Sequence, residues 1–322
     1  ASVTALNVVQ LIGHGTLRIA AMGYARRPPT AAELTLRQRL RGDGIEDGAW
    51  GLSTGLIYAP GSYSTTDEVV ALATTASRHR GFYASHIRGE GATLLDAVRE
   101  AIHIGREGDL PVPISHVKAA GRPNWGKVVE ALQLIDDARD EGLDVMADVY
   151  PYVASSTTLR TLLPDWALEG GIDAMLKRLA DPAERARIRR DIEPPETGQG
   201  LLDRVGWEIV MVASCARRKD AEGKRISEIA AGQGMDPIDA ALELMRRTRQ
   251  RLLPMDIVEV YGKLKKDRKT RLASQVLWTK FGDATVDVVV DGCRTLAMLW
   301  ESAWVEGNGA QIPGEDLRQY SL

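Results

Sequence analysis

Cysteine is scarce in this sequence: Cys215 and Cys293 are the only two in 322 residues, and no CxxC spacing occurs. That excludes a disulfide framework and fits reduced thiols in the cytoplasm. Phenylalanine is as rare, and aromatic residues make up 5% of the chain, so the core must be built mainly from Leu, Ile, Val and Ala. Neither charge sign dominates. The 41 Lys and Arg stand against 44 Asp and Glu, a net charge of −3, which argues against a general nucleic-acid or anionic-membrane binder. No apolar run approaches the roughly 20 residues that a membrane-spanning helix needs. The opening ASVTALNVVQ lacks an initiator Met and has neither the basic region nor the apolar centre of a signal peptide. It runs almost at once into a strand-like stretch, so the chain is expected to begin partway through a larger protein. No GxGxxG or Walker loop follows a strand-like run, which removes the main positive sign of a nucleotide-binding open sheet.

What is present is a train of alternating apolar runs and amphipathic segments. NVVQLIGH (7–14), GLSTGLIY (51–58), FYASHIR (82–88), VPISHVK (112–118) and LDVMADVYPY (143–152) read as strands, by apolar runs and β-branched content. Between them lie helical patterns. Thr65 and Glu68 have capping-box spacing ahead of Val69, Leu72, Ala73 and Ala76 on one face. A helix over 92–106 turns Leu94, Leu95, Val98, Ala101 and Ile102 inward, and one over 127–141 carries a stripe of Val128, Leu132, Ile135 and Ala138. A charge-rich helical segment (172–192) and a Pro/Gly loop (194–200) precede a further strand, WEIVMVAS (207–214). Asp236 then suits an N-cap, and Pro237 the first position of the helix that follows.

Spacing gives the architecture. Ser53, His86, His116 and Tyr150 follow one another at intervals of 33, 30 and 34 residues, about the length of one strand, one crossover helix and two loops. Repeated βα units build either a closed barrel or an open doubly wound sheet. With no nucleotide loop in sight, the barrel is favoured. Barrel active sites lie at the carboxyl ends of the strands, and His86, His116, Tyr150 and Tyr152 all fall there.

Two of the chain's five histidines therefore share one local setting, YASHIRGE and PISHVKAA. Neutral imidazoles on neighbouring strand ends are a natural zinc pair, although a single strand-end histidine is more often a hydrogen-bonded structural residue. His79 and His103 fall in helical segments and are expected to face solvent. His14 ends the first strand, either lining the mouth or satisfying a loop. Arg88 and Lys118 each stand two residues past a histidine. They suit recognition of an anionic group, or equally a structural salt bridge. Tyr150, Tyr152, Ser155 and Ser156 supply hydroxyls at the same rim, or simply form a turn.

GLSTGLIYAPGSYSTTDEVVALA, YASHIRGEG, PISHVKAAGRPNWGK, DVYPYVASSTTLRTLLPDWA and GKRISEIAAGQGMDPIDAALELM together resemble the N-acyl-D-amino-acid deacylases (D-aminoacylases) of the metal-dependent amidohydrolase superfamily. The likeness runs from about residue 5 to about residue 246. It implies a (β/α)8 TIM-type barrel, here incomplete over 1–246, followed by a divergent segment over 247–322. It also implies a Zn2+-dependent hydrolysis of N-acyl-D-amino acids to a D-amino acid and a carboxylic acid. By that resemblance His86 and His116 are zinc ligands. Lys118 and Tyr150 hold the substrate carboxylate, Ser156 joins them, and Arg88 lies near the mouth. The implied partner is a small N-acyl amino acid, with no nucleic acid or membrane; oligomeric state is left open.

Three of the family's parts have no match. A His-x-His motif and a ligating cysteine would precede Ala1, and neither Cys215 nor Cys293 sits where that cysteine belongs. The Ser-Asp-Gly strand end that carries the general base is also missing. Asp291-Gly292 in ATVDVVVDGCRT is a poor substitute, so no general base is identified. With two histidine ligands, the chain alone is expected to bind zinc weakly and to turn over little. Two alternatives stay open: a cyclic-amide hydrolase of the hydantoinase or dihydroorotase kind, and a non-catalytic remnant that binds a small acid or a partner. The stretch 246–271 carries ten Lys and Arg against three acidic residues, suiting a solvated segment or a basic patch.

Overall fold

A computed structural model describes residues 9–151, 154–192, 206–215 and 218–247, with residues 276, 279 and 280. Residues 7 and 8 of the first expected strand, Tyr152, the loop 194–200, the basic stretch from 248 onward, Asp291-Gly292 and Cys293 lie outside the described residues. The chain divides into two compact units, Ala1–Val149 with Leu159–Gly206, and Tyr150–Thr158 with Trp207–Leu322.

The first unit is built on five strands: β1 (Leu11–Gly13), β2 (Gly51–Gly55), β3 (Phe82–His86), β4 (Val112–Ile114) and β5 (Val145–Ala147). Each pairs in parallel with the next, in the order β1-β2-β3-β4-β5. A doubly wound sheet reverses its strand order at a switch point. Here every crossover steps in the same direction, which is how a barrel is laid down. Helices α1 (His14–Met22) and α2 (Ala31–Glu46) link β1 to β2, while α3 (Thr66–Ser77), α4 (Leu94–Gly108) and α5 (Lys127–Asp140) fill the later crossovers.

Local chemistry explains most of these boundaries. The Thr65 hydroxyl accepts from the Glu68 amide at 3.3 Å, and Asp67 and Glu68 favour the positive end of α3. Val69, Leu72, Ala73 and Ala76 are buried as the periodicity requires. In α4, Leu94, Val98, Ala101 and Ile102 are buried and Leu95 partly so. A Cβ at Gly105 would lie 2.2 Å from Val112 Cγ2, so only glycine lets α4 settle on β4. In α5 the buried face is Ala131, Ile135 and Ala138, while Leu132 is exposed. Leu132 is thus a correction: it stands one residue off the stripe.

Helix α2 has no counterpart in the expected elements, because it buries Arg37 and Arg41 and shows no apolar stripe. Its start is a capping box, with the Thr30 hydroxyl accepting from the Glu33 amide (3.2 Å) and the Glu33 carboxylate from the Thr30 amide (2.7 Å). The core is aliphatic, as composition demands. Leu52, Leu72, Leu94, Ile104 and Ile114 are fully buried.

The segment 172–192 forms two helices, α6 (Gly171–Ala180) and α7 (Pro182–Ile192). They part where the Asp181 carboxylate caps the Ala183 and Glu184 amides at 2.9 Å. In the second unit the strand expected over 207–214 is not formed. Among its described residues, Met211 makes an isolated antiparallel bridge to Arg225. Helices α8 (Ile226–Gln233) and α9 (Pro237–Arg247) follow, and the Asp236 carboxylate accepts from the Ile238 amide at 2.8 Å, as an N-cap should. No helix among the described residues is long and apolar enough to cross a membrane.

Candidate metal centre

Strand β3 ends on His86, and its Ser85 lies level with Ile114 of β4. One more rung follows, from the Ser115 amide to the Ser85 carbonyl at 2.9 Å, and then the chain turns. The turn residue is His116, whose φ of 42° puts a non-glycine residue in the left-handed region, at a cost of about 1 kcal/mol or more. The segment after β5 holds it there. Asp148 accepts from the His116 amide at 2.6 Å through its carboxylate and from the Val117 amide at 2.9 Å through its carbonyl. The strand expected to run to Lys118 therefore stops at Ile114, and the turn swings the His116 ring toward His86. The two imidazoles meet edge to face with centroids 4.4 Å apart, and Tyr58 packs on His86 at 5.0 Å.

A third group completes the cluster. Glu90 Oε1 lies 3.2 Å from His116 Nδ1 and 3.8 Å from His86 Nε2. Ligand atoms from His86, Glu90 and His116 all fall within 4.8 Å of one another. Nothing in the periodicity marks Glu90; its one sequence signal is its place four residues after His86 in HIRGE.

Electrostatics suit a cation. Burial pushes the His86 imidazole down to about 4, with His116 and Lys118 pressing the same way against the pull of Glu90. It is neutral at physiological pH. Its Nε2 is buried and meets no hydrogen-bond partner among the described residues, an expensive state for a polar atom. Burial works to raise the Glu90 carboxyl, but the His116 imidazole and Lys118 ammonium outweigh it and hold the group below the ordinary carboxylate range. Two imidazoles and a carboxylate are a donor set for zinc or a similar divalent ion, and the residues fit one.

Lys118 belongs to the same cluster. Its Nζ donates to Glu90 Oε1 at 2.5 Å and to the His116 carbonyl at 3.0 Å, and lies 2.9 Å from His116 Nδ1. That Nδ1 also faces Glu90 Oε1, so it accepts from Lys118 in one tautomer and donates to Glu90 in the other. Arg88 turns elsewhere. Its guanidinium forks onto Glu100 (2.8 and 2.9 Å) and donates to the carbonyls of Ser62 and Ser64 (3.1 and 3.0 Å). Tyr150 and Ser156 belong to the second unit, Tyr150 partly buried and Ser156 exposed. His79 and His103 are exposed.

His14 needs correcting, because it begins α1 and is fully buried. Its Nε2 lies 3.3 Å from Ser64 Oγ and 3.5 Å from Glu68 Oε1. Glu68 also receives Arg18 at 2.6 and 2.7 Å and Arg37 at 2.5 Å. Burial opposes the Glu68 charge, but contacts with His14, Arg18 and Arg37 overcome it and bring the carboxyl down to about 2.

Parallel strands added in one direction, with helices between them and a cluster of two histidines and a glutamate at their carboxyl ends, define a partial TIM-type barrel of the amidohydrolase kind. Comparison with known proteins agrees. Over 160 residues the chain is 42% identical to a D-aminoacylase of Alcaligenes xylosoxydans xylosoxydans, covering 50% of this chain and 33% of that protein. Over 239 residues it is 34% identical to an N-acyl-D-glutamate deacylase of the same organism, covering 74% of this chain and 41% of the relative. Among solved structures, an N-acyl-D-glutamate deacylase from Bordetella bronchiseptica, complexed with zinc and a phosphonate inhibitor, matches with a TM-score of 0.58 at 31% identity, covering 74% of this chain and 42% of that one. No family model matches. The chain belongs to the D-aminoacylase family of amidohydrolases. It spans between a third and about two fifths of those relatives' length.

Proposed function

We propose that this chain is the metal-holding part of a zinc hydrolase that cleaves the amide bond of N-acyl-D-amino acids, releasing a D-amino acid and a carboxylic acid. The observation that carries this reading is the convergence of His86, Glu90 and His116 within 4.8 Å, at adjacent strand ends of a chain related to deacylases. Three groups, where the sequence offers two histidines, raise the zinc affinity expected of the chain. When bound, the metal supplies a polarised carbonyl and a water acidified toward neutrality. The chain's own residues do the rest. His86 and His116 offer imidazole nitrogens, and Glu90 contributes the charge that makes the site attractive to a cation. Lys118 gives a cation to the substrate carboxylate, and the family resemblance is what makes Tyr150 and Ser156 hydroxyl donors for substrate. Arg88, engaged by Glu100, braces the chain after β3 against α4 and leaves substrate recognition to Lys118. A linear amide with a free carboxylate uses this lysine better than a hydantoin does. A cytoplasmic setting accords with the scarcity of cysteine, two residues in the whole chain.

The test measures zinc content and amino-acid release from N-acetyl-D-amino acids, N-acetyl-L-amino acids and hydantoins, for the chain and for H86A and H116A. Zinc that depends on both histidines is expected, with little turnover from the chain alone and any release confined to the D-series. Zinc uptake unchanged in both variants would sink the reading.

A further inference from the structure

Lys118 stands where a metal's positive charge is wanted. Its ammonium is 2.5 Å from the Glu90 oxygen and 2.9 Å from His116 Nδ1, so it engages two of the three ligand groups at once. Its side chain is 23% exposed, and Glu90, at 14%, is more deeply set. Contacts of this charge-assisted kind are short and strong, and they engage the lone pairs a metal would take. A divalent ion and an ammonium cannot share one carboxylate oxygen in a partly desolvated site without strong repulsion. The lysine's side chain is partly exposed, so its head has a route out to water.

We infer that Lys118 is the site's own resident cation: it neutralises Glu90 while the metal is absent, and a divalent ion enters by displacing it. The displaced ammonium then lies beside the metal, ready to receive an anionic group of a ligand. Metal uptake and anion recognition are thereby coupled. This inference rests on the metal centre proposed above, and the experiment separates the two.

Zinc affinity is measured at one pH by competition with a chromophoric chelator, for the chain, K118M, K118R and H86A, each checked for folding by circular dichroism. Removing the competing ammonium should tighten zinc binding about tenfold or more, the weight of a charge-assisted hydrogen bond. K118R keeps a cation and should stay within about threefold of the parent chain, on the same reasoning. In parallel, reductive methylation read by mass spectrometry should label Lys118 faster once zinc is added. Zinc binding that needs His86 but is unchanged or weaker in K118M overturns the resident-cation inference and leaves the metal centre standing. Zinc binding indifferent to His86, or absent throughout, overturns both. If K118M is misfolded, the methylation measurement decides alone, and no zinc-dependent gain in Lys118 labelling refutes the inference.

Discussion

Replacing Glu68 with glutamine should damage the first unit severely. Glu68 is 4% exposed and takes three short contacts, two from Arg18 and one from Arg37, between α1, α2 and α3. A glutamine there would keep the shape and one acceptor oxygen but lose the charge, leaving two buried guanidiniums without a counter-ion. Breaking a buried pair on one side costs roughly 3–5 kcal/mol. The carboxyl's pKa gives a second route to the magnitude. Its fall from an ordinary 4.5 to about 2 corresponds to roughly 3 kcal/mol of stability. Because the folded pKa is depressed, that stability is fully present above about pH 4.5 and is lost as pH falls toward 2. Urea denaturation followed by circular dichroism, repeated down the pH scale, tests both figures. E68Q should lose roughly 3–5 kcal/mol at pH 7 and show a flatter decline between pH 4.5 and 2 than the parent. A loss under about 1 kcal/mol, or an unchanged acid slope, would refute the account of Glu68 as a buried counter-ion.

Three further outcomes follow from the geometry. A Cβ at Gly51 would lie 2.3 Å from the Phe82 carbonyl oxygen, so G51A should cost at least about 2 kcal/mol in urea denaturation. H116N should abolish zinc uptake yet melt within a few degrees of the parent chain, since asparagine tolerates the left-handed backbone better than histidine; a large drop in melting temperature would make His116 a structural residue. A double-mutant cycle on R88M and E100Q should return a coupling of roughly 1.5–3 kcal/mol in stability, and a coupling near zero would dismiss Arg88 as a brace.

Much of this was legible in the sequence, for identifiable reasons. Helices α3, α4 and α9 announce themselves through Thr65, a regular apolar face, and Asp236 with Pro237. The strand ends were readable because His86 and His116 recur at one βα interval. What was hidden depends on contacts between distant residues. Helix α2 carries arginines where an amphipathic helix carries leucines, and only their meeting with Glu68 makes that burial tolerable. Glu90 looks like any loop acid until the turn at His116 brings it to the histidines. That turn depends on Asp148, a residue from the next βα unit. The extent of β4 failed for the same cause, since an apolar run cannot show where a distant carboxylate bends the chain.

All three residues of the proposed metal centre lie within a stretch of thirty-one, from His86 to His116, and the strands they follow or end are neighbours in both sequence and space. The cluster closes over a single crossover helix, so little chain entropy opposes its assembly. During synthesis the three donors leave the ribosome nearly together, with α4 between them. Metal capture at the proposed centre would then reward the crossover from β3 to β4 before β5 is made.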